Sequence, residues 1–122
     1  MIYKVGMLCK HFKGKDLFEK KIYRIERLGV YGRDILDSDI AYTGDNTLEG
    51  ATNLVVYSNI FQDGKMFARE YEDISSELSD EKKKNYNQIL KVEPLTDEEI
   101  TVVESPSFIE EKKVLVKSKF KK

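Results

Sequence analysis

The sequence predicts a mainly β domain, a small barrel of about five strands with short helices and a C-terminal extension. Three observations carry that expectation. Two β-rich runs, residues 53–61 and 66–71, flank Asp63-Gly64, a pair suited to a two-residue hairpin turn whose central positions need positive φ. Both runs hold apolar residues on both faces, which predicts a hairpin covered on both sides, as in a barrel with flanking segments. The chain has 122 residues and one cysteine, enough for one core without disulfides or a structural metal. A two-residue turn would pair Phe61 with Met66, Ile60 with Phe67, Ser58 with Arg69 and Val56 with Tyr71. It puts Leu54, Val56, Ile60, Phe67 and Tyr71 on one face, and Val55, Tyr57, Phe61 and Met66 on the other.

From the N-terminus, residues 6–15 are expected as a first strand, with Leu8 and Phe12 on one face and Cys9, His11 and Lys13 on the other. Gly14 turns the chain out of it. Residues 16–20 predict a loop or one helical turn. Residues 22–28 predict a second strand, with Tyr23 and Ile25 in the core and Arg24 and Glu26 outward. Across residues 29–51, glycines and aspartates break the pattern and predict a long loop-rich connection, interrupted by a short strand around residues 39–43. Loops of that length tend to be functional or mobile.

After the hairpin, residues 72–78 predict a turn or short helix. Ser79 is placed as an N-cap ahead of Asp80, Glu81 and three lysines, acids leading and bases trailing as the helix dipole prefers. Residues 88–92 are expected as the last core strand, closed by Pro94. Thr96 and Glu99 have capping-box spacing and open a short helix holding Ile100 and Val103. Beyond Pro106, Val114, Val116 and Phe120 alternate with Lys113, Lys117 and Lys119, which predicts an edge strand with a lysine face. The barrel domain is thus expected over residues 1–95, with 96–122 an extension packed on it or trailing from it.

Basic and acidic residues number 21 and 22, a formal net charge of -1, so overall charge gives no warrant for nucleic acid or an anionic membrane as partner. Cys9 is the only cysteine, and the N-terminus lacks the continuous apolar core of a secretory signal, so a soluble protein of a reducing, cytoplasmic compartment is expected. No apolar stretch approaches the roughly 20 residues that span a bilayer.

The segments Gly6…Lys10-His11-Phe12-Lys13-Gly14, Ile22-Tyr23, Leu54-Val55-Val56-Tyr57 and Phe67-Ala68-Arg69 together resemble a bacterial family, domain of unknown function family 1653. That family combines a His-aromatic-Lys-Gly strand, a Tyr-containing second strand and a Val-Val-Tyr hairpin ending in an aromatic-x-Arg-Pro segment. The resemblance covers about residues 6–74, with a weaker continuation to Leu95. It implies an SH3-like β-barrel and no activity. Residues 16–21 and 28–40 look like insertions, Glu70 stands where the family has proline, and everything after Thr96 lies outside the resemblance.

Cys9 and His11 form the one nucleophile-and-base pair, at i and i+2 on one strand face. No third group is assigned to orient the base, and a small buried thiol beside a surface histidine accounts for the same residues. One cysteine and one histidine make no zinc site. Asp34, Asp37, Asp39 and Asp45 lack the spacing of a calcium loop, and Gly29-Val30-Tyr31-Gly32 lacks a phosphate cradle. Neither metal nor cofactor is therefore expected.

A binding surface is the better-supported expectation. His11, Lys13 and Arg69 are polar residues on strand-like segments, and Tyr42 and Tyr57 are expected near them. The first reading is a non-enzymatic module that binds a protein or peptide there. A cation beside aromatic faces can hold a carboxylate, or a phosphate and a stacked base. Single-stranded nucleic acid is therefore the alternative, assisted by Lys112, Lys113, Lys117, Lys119, Lys121 and Lys122. A Cys9-His11 enzyme is the remote third. The same C-terminal lysines could instead only keep an edge strand soluble.

Overall fold

The computed structural model describes residues 2–32, 52–62 and 66–120. The strands are β1 (Leu8–His11), β2 (Ile22–Gly32), β3 (Thr52–Asn59), β4 (Met66–Glu70) and β5 (Val92–Pro94). They form one antiparallel sheet in the order β4-β3-β2-β1-β5, open among the described residues with β4 and β5 at its edges. The helices are α1 (Tyr71–Ile74), α2 (Asp80–Tyr86), α3 (Asp97–Glu104) and α4 (Pro106–Phe120). No helix among the described residues is long and apolar enough to cross a membrane.

The hairpin register differs from the expected one. Ser58 pairs with Met66, Tyr57 with Phe67, Val56 with Ala68 and Val55 with Arg69, three positions from the two-residue-turn pairing. An odd shift exchanges the faces of one strand relative to the other, so Phe67 and Arg69 share a face with Tyr57 rather than with Val56. The cause is local. Asn59 Oδ1 accepts the Phe61 N–H at 3.0 Å, and Gln62 N donates to Asn59 O at 3.1 Å. This side-chain turn ends β3 before Ile60 and Phe61 can extend it. The Asp63-Gly64 pair itself lies outside the described residues, as does the strand expected around residues 39–43.

One face of the sheet buries Cys9, Tyr23, Ile25, Val55, Tyr57 and Val92 against Tyr3 and Ile74. Tyr3 Oη lies 2.6 Å from Val92 O and 3.1 Å from Ile74 O, so the N-terminal segment ties α1 to β5 across that face. On the other face Ile22, with Leu8 beside it, meets Leu95, Val103, Ile100 and Phe108 of the C-terminal segment, while Leu54, Val56 and Ala68 form a separate buried group. The expected burial of Tyr23 and Ile25 is observed, and β2 runs on to Gly32, into the stretch expected as loop. Register shifts between Ile25 and Arg27 and between Arg27 and Val30 mark irregularities in the β2–β3 ladder.

Gly14 has φ +123°, and a Cβ there would stand 3.0 Å from Lys20 N and 3.1 Å from the Glu19 carbonyl carbon, so only glycine fits the turn out of β1. Ser79 caps α2 by accepting the Lys82 N–H, and Thr96 with Glu99 completes a capping box on α3. The last core strand sits later than expected, at Val92–Pro94. Pro94, which has no N–H to give, is tolerated because β5 is an edge.

The expected C-terminal edge strand is a helix. Ser105 Oγ accepts the Phe108 N–H at 3.4 Å, and Pro106 occupies the first helical position, where its missing N–H costs nothing. The α4 positions Phe108, Ile109, Lys112, Leu115 and Val116 recur at helical spacing and are buried or half-buried, whereas Val114 is exposed. At the centre of that stripe Lys112 is buried, its Nζ bonded to the carbonyls of Phe18 and Lys20 and set over the Phe18 and Phe61 rings. Residues 96–122 thus include two helices, of which α3 and the start of α4 pack on the sheet.

Candidate ligand-binding cleft

Because β1 to β4 are adjacent, residues one strand apart on the Tyr57 face form a row. Tyr23 of β2 and Tyr57 of β3 have ring centroids 4.6 Å apart, and Tyr57 and Phe67 of β4 stack at 5.7 Å with planes 25° apart. The guanidinium of Arg69 lies 6.0 Å from the Phe67 centroid, and His11 meets Tyr23 edge-on at 6.3 Å. This row floors a cleft of about 650 Å³ whose lining includes His11, Lys13, Tyr57 and Arg69. Four of the five residues singled out from the sequence therefore line one cavity. The fifth, Tyr42, lies outside the described residues.

The rim comes from segments that the sequence did not connect with the site. Lys21, just before β2, Lys82 of α2, Lys91 before β5, and Asp73 of α1 with Glu77 beyond it all line the cleft. Asp73 is engaged by Lys91 at 3.0 Å, and Glu77 by Lys83 at 2.9 Å. Lys82 stands 5.3 Å from the Phe12 centroid, a cation–π contact that holds it over the rim. Lys13 and Lys21 make no ion pair among the described residues. A signal for Lys21 was present in its position next to the strand that carries Tyr23, but a lysine before a strand has many unremarkable neighbours.

His11 is neutral in this setting. Burial, then the charges of Lys21, Lys13, Lys91 and Lys20, lowers its pKa from 6.5 to about 4. Its Nδ1 accepts the Lys13 N–H at 3.3 Å, which places the imidazole proton on Nε2. Tyr23 is pushed up to about 12 by burial, with Arg69 opposing. Cys9 is fully buried in the core, and burial pushes its thiol up to about 12, so at neutral pH it is a protonated core residue beside the cleft. Among the described residues no three His, Cys, Asp or Glu side chains group as metal ligands. The arrangement offers cations and hydrogen-bond donors around an apolar floor, the makings of a site for a carboxylate or another anion. Comparison with family models, with curated proteins and with solved structures finds no match to this chain.

Proposed function

We propose that this protein is a non-enzymatic binding module that holds an acidic peptide segment in the cleft of His11, Lys13, Tyr57 and Arg69. One observation carries the reading: the rim carboxylates Asp73 and Glu77 are occupied by lysines, while Lys13 and Lys21 have no ion pair among the described residues. The cleft therefore carries surplus positive charge over an apolar floor, with a neutral His11 as a further donor through Nε2. Single-stranded nucleic acid needs ring faces on which bases stack. Tyr23 and Tyr57 are each 6% exposed, which leaves the half-buried Phe67 as the one ring of the Tyr23-Tyr57-Phe67 row open to a base and favours the peptide.

The test is an amide-resolved NMR titration of the labelled chain with a pool of acidic peptides and, separately, with a thymidylate decamer. The expected result is peptide-dependent shifts at His11, Lys13 and Lys21 that vanish in a Lys13→Ala/Lys21→Ala variant. Unchanged affinity in that variant refutes the site. Shifts given by the decamer alone, falling steeply as salt rises, would put nucleic acid in place of peptide.

On the same reading the sheet belongs to an SH3-like barrel, and the chain is a divergent relative of domain of unknown function family 1653, in a reducing, cytoplasmic setting. Support comes from the β2 irregularities, which coil a strand, and from Tyr3 bridging α1 and β5. Amide contacts between β4 and β5 in nuclear Overhauser spectra would indicate closure; their absence leaves an open sheet.

A further inference from the structure

We infer that the ligand reaches beyond the cleft: an acidic stretch on Lys13 and Lys21, continued by an apolar side chain seated against Leu115 and Val116 of α4. This rests on the acidic-peptide reading of the cleft and extends it. A second hollow, of about 430 Å³, is lined by His11, Lys13 and Lys21, the same three residues that line the first. The two hollows adjoin this shared trio. Each falls within the usual size of a ligand pocket, about 300–1,000 Å³.

The hollows differ in chemistry. The first has the aromatic row and most of the cations. The second has Leu115 and Val116 on its helical wall, with Asn59 and Gln62 among its other lining residues; the Asn59 amide is spent on Phe61 N–H and Gln62, and the Gln62 amide nitrogen is a donor that can bond a peptide main chain. Among the described residues Glu19 is its one carboxylate lining residue, and Glu19 Oε2 already accepts the Lys15 N–H at 3.3 Å. The helical wall is held in place, because Lys112 binds the carbonyls of Phe18 and Lys20 in the segment joining β1 to β2. That segment also carries Lys13 and Lys21. The charged saddle and the apolar wall are therefore one preorganised unit, matched to a ligand whose carboxylates lie next to an apolar residue.

The experiment is selection of a random-peptide display library on the immobilised full chain, followed by fluorescence anisotropy of the enriched peptides. Expected peptides place Asp or Glu within a few residues of Leu, Ile or Phe. Lys13→Ala/Lys21→Ala should weaken them at least tenfold. Val116→Asn, which removes the apolar contact without adding charge, should do the same, yet spare versions of the peptides cut back to the acidic part. Val116→Ser replaces Val116→Asn if circular dichroism shows the helix lost. Acidic peptides with no apolar partner, indifferent to the Val116 variants, would overturn this inference and leave the cleft reading standing. Basic peptides, or binding indifferent to the lysine variant, would overturn both.

Discussion

The protonation of His11 gives the sharpest test of the cleft's electrostatics. Burial of the imidazole, and then the charges of Lys21, Lys13, Lys91 and Lys20, make the folded protein resist the proton that an unfolded chain accepts. With the pKa depressed from 6.5 to about 4, the unfolded state binds the proton first as pH falls. The stability contributed by His11 is thus complete above about pH 6.5, is lost progressively toward pH 4, and changes no further below that. At about 1.4 kcal/mol per pH unit of separation the gap amounts to about 3 kcal/mol. Partial exposure of the ring trims this to about 2–3 kcal/mol.

The assay is urea unfolding of the wild type and of His11→Asn between pH 4 and 7.5. Asparagine keeps an acceptor for the Lys13 N–H but does not titrate. The difference between the two curves removes carboxylates that protonate in the same range. Because the chain has one histidine, its Cε1–H resonance reports the pKa directly, and nitrogen shifts report the Nε2–H tautomer. A midpoint near 6.5 with a flat difference curve would refute the reasoning, and with it the reading of a buried imidazole beside the cleft lysines.

Three further outcomes follow from named contacts. Tyr3→Phe removes the hydroxyl shared between the Val92 and Ile74 carbonyls and should cost about 1–2 kcal/mol, measured by denaturant midpoint with an unchanged slope. Gly14→Ala meets both positive φ and backbone at 3.0 Å; a loss of about 1–3 kcal/mol is expected, and no loss would mean that the turn relaxes freely. Burial opposes the charge of Glu99, but hydrogen bonds from Lys10 Nζ at 2.6 Å and from Thr96 prevail and hold its pKa below 4.5. Its contribution is present above about pH 4.5 and lost as pH falls through the lower folded value. Glu99→Gln should cost about 1–2 kcal/mol at pH 7 and flatten the acid limb of the stability curve.

Much of the fold was legible where one force dominates. Alternation gave the core positions of β2, and the caps of α2 and α3 follow from hydrogen-bond chemistry confined to three or four residues. The hairpin register was not legible, because Asp63-Gly64 and Asn59 both promote turns and the sequence does not rank them. Asn59 wins among the described residues, and Ile60 and Phe61 leave the ladder to pack in the cluster that holds Ile22 and Val103. The site profits from that outcome. A two-residue turn would have put Arg69 and Tyr57 on opposite faces, whereas the observed pairing brings both into the cleft.

The C-terminal helix was hidden for a related reason. Hydrophobic periodicity reveals a helix only when its inward stripe is apolar, and α4 has a buried lysine at the middle of its stripe. Lys112 holds that position because two carbonyls, Phe18 O and Lys20 O, have no strand partner across the β1–β2 connection and accept its ammonium. Lys20 does the same work nearby, donating to Tyr86 O at 2.7 Å and Gln88 Oε1 at 3.0 Å, while Gln88 Nε2 donates to the carbonyls of Lys10 and Leu90. These long polar side chains satisfy backbone groups that the sheet leaves over. In a sequence they cannot be told from solvated lysines and glutamine, since, Leu90 O apart, the carbonyls they serve come from residues 66 to 94 positions away. Cutting one such pin would leave buried carbonyls without a donor, a larger loss than its charge alone implies. For Lys112 the consequence extends to the second hollow, because the wall it fixes carries Leu115 and Val116.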